Sequence, residues 1–374
     1  MTKHPAVTFV IMAGGKGERL WPLVRSATPK VCLSPDGTRS LLAATIDRLR
    51  LVWPHPEWLI VTTNGQAEAV RAALPSALRD AVLVEPQVKN TAACITLAAV
   101  TLAMRDPHRV MVVTPADHWV SDVPAFRQAL RTAIRAAVAH DTIVTIGIRP
   151  THPHTGLGYL CAGARLGARE GRAGASVNGA RAPRMYRLKQ FIEKPSTARA
   201  AALVKQPRTY WNSGTFVGTA DKFLESVTQW LPEHTRRLVP LAETLHGHRR
   251  FSNASFLQRA RAAYRALEEI SFDHGVMDHL SEGLVVEGQF RWADLGSWDV
   301  WAQLGRASSR TIGIESENIT VVGQEGHLVA TIGVRDLVIV QTPSATLICH
   351  PQRAQAVREI VKRLALDPRL ASYQ

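Results

Sequence analysis

The chain has 374 residues, 46% hydrophobic and 20% charged, a balance that excludes a disordered chain and leaves room for two domains. No apolar run approaches the roughly 20 residues needed to cross a bilayer, so neither a membrane span nor a membrane partner is expected. The net charge of +14, from 45 basic and 31 acidic residues, attracts anions. The arginines are nevertheless scattered and lack interleaved aromatics, so the expected partner is a small anionic substrate and not nucleic acid. Cys32, Cys94, Cys161 and Cys349 lie far apart with no C-x-x-C pair, which points to free thiols and away from zinc or disulfides. Lys3 and His4 before an apolar segment imitate a short signal peptide. That segment feeds a glycine turn without a cleavage site, so a cytoplasmic protein is expected.

The first informative stretch is Val7 to Pro22, followed by Pro29-Lys30. Val7, Phe9, Val10, Ile11 and Met12 form a nearly all-apolar run, as in a strand buried on both faces of a parallel sheet. Gly14, Gly15 and Gly17 after Ala13 allow positive φ and close backbone approach, so the amides of this turn can face a phosphate chain. Arg19 and Lys30 add two cations. A dinucleotide fingerprint fits poorly, because counting from Gly15 the third glycine position holds Leu20, and the strand at 59–63 ends in Asn64-Gly65 without a ribose-binding carboxylate. A Walker A loop also fails for want of Gly-Lys-Ser/Thr.

Strands are expected at 7–12, 59–63, 82–84, 109–114 and 142–148. Helices fill the gaps at 66–79, 91–105 and 123–139, with Asn90 and Asp122 as N-caps and Pro124 in a first turn. This alternation reads as an α/β fold with a doubly wound, mostly parallel, Rossmann-like sheet, and it places ligands at the carboxyl ends of the strands. The middle third is mixed: strands at 158–162, 185–193 and 215–218, and helices near 220–229, 233–246 and 254–268. Between them, Arg165 to Arg187 holds six arginines and one acid and reads as a solvated hairpin loop. After Trp301, β-rich pieces at 318–322, 327–332, 337–341 and 345–349 recur every nine or ten residues, and one helix at 352–364 ends the chain. The expected domains are residues 1–303 and a small β-rich unit at 304–374.

Two aspartates occupy strand-end positions, Asp117 in Thr-Pro-Ala-Asp-His118 and Asp294 in Trp-Ala-Asp-Leu-Gly-Ser-Trp298. Carboxylates from distant segments that meet near a phosphate loop suit Mg²⁺, which shares phosphate oxygens and keeps part of its water shell. His118 could be a ligand or a structural neighbour, and His152-Pro-His154 has metal-compatible spacing without further ligands. Glu193-Lys194-Pro195 closes a strand, and Trp211-Asn-Ser-Gly214 opens the next. Glutamate and asparagine suit sugar hydroxyls, and lysine suits a phosphate.

With these motifs, and with Glu85-Pro86, Asn90-Thr-Ala92, Pro150 to Tyr159 and Ile270-Ser-Phe-Asp273, the chain resembles the sugar-1-phosphate nucleotidyltransferases over nearly its whole length. The closest likeness is to the branch that joins GMP to mannose 1-phosphate. The resemblance implies an α/β catalytic domain with a small β-rich partner, GTP and mannose 1-phosphate as substrates, GDP-mannose as product, and Mg²⁺ as cofactor. It implies that Ala13, Gly14, Gly15, Gly17, Glu85 and Asn90 bind the nucleotide and that Arg19, Lys30 and Asp117 are catalytic. Asp117 and Asp294 would hold the metal, and Gly156, Glu193, Lys194 and Asn212 the sugar phosphate. The chain departs from the family where His154 replaces a usual glutamate, Val31 a glutamine, Lys89 an arginine and Ser344 an aspartate. His154 lies in the loop expected near the sugar, so another sugar 1-phosphate or nucleotide stays open, as does a non-catalytic sensor of GDP-sugars. A homodimer through the β-rich segment is one possibility, and capping of its edges by the last helix is the other.

Overall fold

The computed structural model describes residues 4–25, 28–35, 37–167, 183–244, 254–303, 310–323 and 327–374. The first half alternates as expected through β1 (Val7–Met12), α1 (Leu41–Leu49), β2 (Glu57–Thr63), α2 (Ala67–Ala73), β3 (Val82–Glu85) and α3 (Asn90–Ala103). It continues with β4 (Val110–Pro115), β5 (His118–Val120), α4 (Val123–His140) and β6 (Val144–Ile148). Then come β7 (Tyr159–Arg165), β8 (Met185–Ile192), α5 (Thr197–Lys205), β9 (Thr209–Thr219), α6 (Ala220–Trp230), α7 (Pro232–Glu243) and α8 (Ala254–Arg265). The chain goes on through α9 (Phe272–Gly275), β10 (Leu284–Gly288), β11 (Trp292–Asp294) and α10 (Trp298–Gln303). Most of the arginine-rich loop, 168–182, lies outside the described residues.

The α/β class holds, and the central sheet is mixed. Among the described residues it has nine strands in the order β3-β2-β1-β4-β9-β6-β10-β8-β7. Strands β3, β2, β1 and β4 run parallel, so the segments leaving β1 and β4 emerge side by side at one edge. The long strand β9 runs antiparallel to both β4 and β6 and carries Trp211 and Asn212 towards that edge. Both faces are covered. One buries Phe223, Leu238, Phe256 and Tyr264 of α6 to α8 against α3, and the other buries Ile46 of α1 and Phe126 and Ile134 of α4.

Local chemistry explains the boundaries. Asp122 caps α4 by accepting from Ala125 N at 3.0 Å. Asn90, expected as an N-cap, is instead the first residue of α3 with φ of +65°, accepting from the adjacent Thr91 N at 2.9 Å, and the cap position falls to Lys89 without a side-chain cap bond. The helix expected at 66–79 divides because Pro75 holds Leu74 in the extended region, φ −91° and ψ 146°; a 3₁₀ turn, Ser76–Ala81, follows.

Beyond Trp301 the β-rich reading gives β12 (Arg310–Ile314), β13 (Glu317–Val322), β14 (Leu328–Ile332), β15 (Arg335–Gln341) and β16 (Thr346–Cys349). Strand β12 pairs parallel with β14 and β13 with β15, Arg310 facing Leu328 and Glu317 facing Arg335, which is the pairing of one coil stacked on the next. A 3₁₀ segment, Pro351–Ala356, leads into α11 (Val357–Leu366). This segment packs into a cluster shared with the glycine-turn region: Leu20, Trp21 and Val24 meet Leu295, Trp298, Ala354, Val357 and Leu364.

Trp298 is the hub of that cluster, fully buried and donating from Nε1 to Trp21 O at 3.0 Å. Trp298→Ala should cost about 3–5 kcal/mol of unfolding free energy, read from urea denaturation. A loss below about 1 kcal/mol would mean that the cluster does not hold the two regions together.

Candidate active site

The glycine turn is fixed from beneath. Ala13 N donates to Val61 O at 2.7 Å and Thr62 Oγ1 donates to Ala13 O at 2.9 Å, so Ala13 extends the sheet. Gln66, which sequence reasoning did not single out, donates to Gly15 O at 3.1 Å. Gly17 has φ of +64°, and a Cβ there would lie 2.9 Å from Lys30 Cβ. Glycine is therefore required twice over, for the backbone conformation and for the approach of Lys30.

Lys30 is the centre of the site. Its ammonium donates to Asp117 Oδ2 at 2.6 Å and to Asp294 Oδ1 at 3.3 Å. The three come from segments far apart in the chain, and local pairing explains the convergence: Asp117 leaves β4, and antiparallel β11 and β5 set Asp294 opposite His118. Burial alone would lower the Lys30 pKa, yet the two carboxylates raise it. Burial likewise opposes ionisation of Asp117, but Lys30, with help from His118, holds its carboxyl well below the usual carboxylate range. His118 is pushed down by burial against the pull of those carboxylates.

Ligand atoms of Asp117, His118 and Asp294 lie within 4.8 Å of one another. Arg48 braces this arrangement from α1, donating to His118 O at 2.9 Å and to Thr45 Oγ1 at 2.7 Å. Burial lowers its pKa to about 10, which still leaves it charged at neutral pH. Neither Arg48 nor its helix was legible, because residues 41–49 have no distinctive motif.

A cavity of about 740 Å³ opens beside these groups, lined among others by Arg19, Asp294, Gly156, His152, His154 and Trp211. The Trp211 Nε1–H is buried without a hydrogen-bond partner among the described residues. The His154 ring accepts from Gly156 N through Nδ1 at 3.0 Å, an arrangement that assigns the proton to Nε2. Burial first, and His152 second, lower the His154 pKa, so the ring is neutral at pH 7.

Asn212 and Glu193 meet around β7: Asn212 N donates to Gly158 O at 2.8 Å, and a Cβ on Gly158 would lie 2.8 Å from Glu193 Oε2. Lys194 pairs with Glu193 at 2.5 Å. The Asn212 side chain is nearly saturated. Its Oδ1 accepts from Thr145 Oγ1 and Gly214 N, each at 3.1 Å, and its Nδ2 donates to Asp273 at 2.6 Å. One Nδ2–H remains for a ligand.

Glu85 and Asn90 are not gathered into this cavity. Glu85 is buried at the end of β3, accepts from Tyr264 Oη at 3.1 Å, and is raised to about 8, chiefly by burial. Asn90 is exposed at the start of α3. The substituted Lys89 donates to Leu267 O at 2.6 Å. Ser344, in place of an aspartate, still accepts from Arg25 at 2.8 Å.

The nucleotidyl transferase family profile matches residues 8–309, and a profile for the MannoseP isomerase/GMP-like beta-helix domain matches 309–364. Mannose-1-phosphate guanylyltransferase of Escherichia coli K12 is 34% identical, over 96% of this chain and 74% of its own length. The chain belongs to the nucleotidyl transferase family, among the mannose-1-phosphate guanylyltransferases. The alginate biosynthesis protein AlgA of Pseudomonas aeruginosa is 32% identical over 95% of this chain and 71% of its own length. A crystal structure described as mannose-1-phosphate geranyltransferase from Thermus thermophilus superposes with a TM-score of 0.79 at 32% identity, covering 96% of this chain and 99% of that one. Enzymes of the nucleotidyl transferase family generally work with a divalent metal, and the Asp117, His118 and Asp294 group is this guanylyltransferase's candidate for holding one.

Asp273 gives the site a pH signature. Burial, then the Glu193 carboxylate, raise its pKa to about 7, against about 3.9 when unfolded. Between those values the folded state binds the extra proton, so this contribution to stability is present at pH 4 and is lost as pH rises through 7. The urea midpoint should therefore fall between pH 5 and pH 8 by more in the wild type than in Asp273→Asn. Equal falls would place the Asp273 pKa at its ordinary value.

Proposed function

We propose that this chain transfers GMP from GTP to α-D-mannose 1-phosphate, giving GDP-mannose and pyrophosphate. A phosphate oxygen of the sugar attacks the α-phosphorus in line. The observation that carries this reading is the buried ammonium of Lys30 lodged between Asp117 and Asp294, beside a cavity that Arg19 also lines. A general base is unnecessary, because a phosphate monoester has a second pKa near 6 and reaches the site already ionised. Catalysis then rests on alignment and on stabilising charge at the phosphates.

Arg19, Lys30 and the amides of Gly14, Gly15 and Gly17 would bind and align the GTP phosphates, while Asn212, Glu193 and Lys194 orient the sugar phosphate against Gly156. The orphaned Nε1–H of Trp211 supports a hydroxylated ligand, since a buried donor without a partner is costly. The donor set also fits Mg²⁺. Asp117 and Asp294 are hard oxygen ligands, and one ammonium between two carboxylates leaves a negative charge unbalanced. When bound there, the ion would neutralise charge on the phosphate oxygens.

Glu85 and Asn90 are assigned to the nucleotide side. Residues 1–303 are assigned to the catalytic domain and 304–374 to the small β-rich domain. The reaction is assigned to the cytoplasm; among the described residues no helix is long and apolar enough to cross a membrane.

The test is pyrophosphate release with Mg²⁺ and GTP, ATP, UTP or dTTP against mannose 1-phosphate and glucose 1-phosphate. GTP with mannose 1-phosphate should be the preferred pair, chelation should abolish turnover, and Asp117→Ala should lower kcat by about 10²–10³-fold, the scale of a lost charge-stabilising group. Preference for another pair would keep the chemistry and change the substrate. No turnover with any pair, together with tight GDP-mannose binding, would make the chain a sensor.

A further inference from the structure

The carboxy-terminal segment does more than pack. Gln355, exposed on the 3₁₀ segment Pro351–Ala356, accepts from Arg19 Nη1 through Oε1 at 3.1 Å and donates through Nε2 to Ser297 Oγ at 3.2 Å. Ser297 is buried, three residues after Asp294. All three side chains line the cavity. One amide therefore ties the arginine of the glycine turn to the loop that carries Asp294, across about 336 residues of sequence in the case of Arg19.

We propose that Gln355 is a positioning residue: it holds the Arg19 guanidinium towards the phosphate chain and registers it against the Asp294 loop, so that the carboxy-terminal segment completes the active site. This rests on the nucleotidyltransferase reading, in which Arg19 meets substrate phosphate.

Three features carry the inference. Gln355 is flanked by buried Ala354 and Val357, so its backbone is held by the shared apolar cluster while its side chain is left outside. An exposed amide contributes little to folding, because water satisfies it equally well in the unfolded chain. Arginine has five N–H donors, and Gln355 takes one from Nη1, which orients the guanidinium plane and leaves the remaining donors for oxyanions. A long side chain held in advance loses less conformational freedom when the ligand arrives. The Trp21 Nε1 bond to Tyr373 O at 2.7 Å and the Arg25 bonds to Thr342 and Ser344 tie the residues just after the glycine turn to the chain on either side of the Gln355 segment.

The experiment compares the wild type with Gln355→Met, which keeps the side-chain length and removes both hydrogen bonds, with Arg19→Met, and with the double variant. Turnover is measured with whichever substrate pair the wild type uses, so a change of substrate does not confound the result. Gln355→Met should lower kcat by about tenfold, equivalent to about 1.4 kcal/mol of barrier, with the melting temperature unchanged. In the Arg19→Met background it should have no further effect, since the amide acts through that guanidinium. Direct titration with pyrophosphate provides a readout independent of turnover: Gln355→Met should weaken binding in the wild-type background and not in Arg19→Met. Losses that multiply in the double variant, or wild-type kcat and pyrophosphate affinity in Gln355→Met, would overturn the proposal. A wild type that turns over no substrate pair yet binds pyrophosphate through Arg19 and Gln355 would defeat the reaction reading and leave the positioning role standing.

Discussion

One ammonium between two carboxylates organises this molecule. Lys30 is 5% exposed, and a buried lysine is tolerated only beside compensating charge. Asp117 and Asp294 would equally repel each other without a cation between them. Each member of the trio thus requires the others, and each comes from a different segment: the 3₁₀ turn Lys30–Cys32, the exit from β4, and β11. Gly17 allows Lys30 close enough to take part. The charge trio works as a geometric lock, which holds three segments distant in sequence in register.

The carboxy-terminal region leans on the same place. Leu20 and Trp21 follow Arg19 directly, and both belong to the cluster that buries Trp298, Ala354 and Val357. Arg19 is therefore the polar end of an apolar anchor. Burial of one face of the 3₁₀ turn Glu18–Leu20 against the carboxy-terminal segment directs the other face into the cavity. Removing that segment would expose Leu20 and Trp21 and free the arginine together, so stability and the placement of Arg19 are coupled through one short turn.

The pattern of residues disclosed much of this. Period and punctuation located β1, β2, β3, β4 and β6, because each is an apolar run bounded by turn residues. The same signals did not disclose β10, nor that β9 runs from Thr209 to Thr219 and inserts antiparallel between β4 and β6, since pairing direction is set by tertiary contacts. Lys30, Asp117 and Asp294 were legible as candidates, a cation soon after the glycine turn and carboxylates at strand ends, and the structure brings the three side chains together. Arg48, Gln66 and Gln355 were not. Each acts through a hydrogen bond to a residue distant in sequence, and one chain without its fold offers no sign of such a partner. Asp273 was visible only as part of a motif, and its role in holding Asn212 depends on α9 lying beside β9.

His154 marks where the cavity departs from the family's usual pattern, and the hydrogen-bond network limits what that departure changes. A carboxylate in that loop can only accept, so it would ask a sugar hydroxyl to donate. His154 spends its Nδ1 lone pair on Gly156 N and is kept neutral by burial, so Nε2–H is a donor and asks a hydroxyl to accept. Trp211, with its free Nε1–H in the same wall, makes the same demand. A hydroxyl both donates and accepts. Exchanging the carboxylate for an imidazole can therefore reverse the direction of the hydrogen bond while the sugar stays the same. What the exchange removes is a negative charge from the cavity wall, so an anionic group on a ligand in this cavity would meet less repulsion here than beside a glutamate.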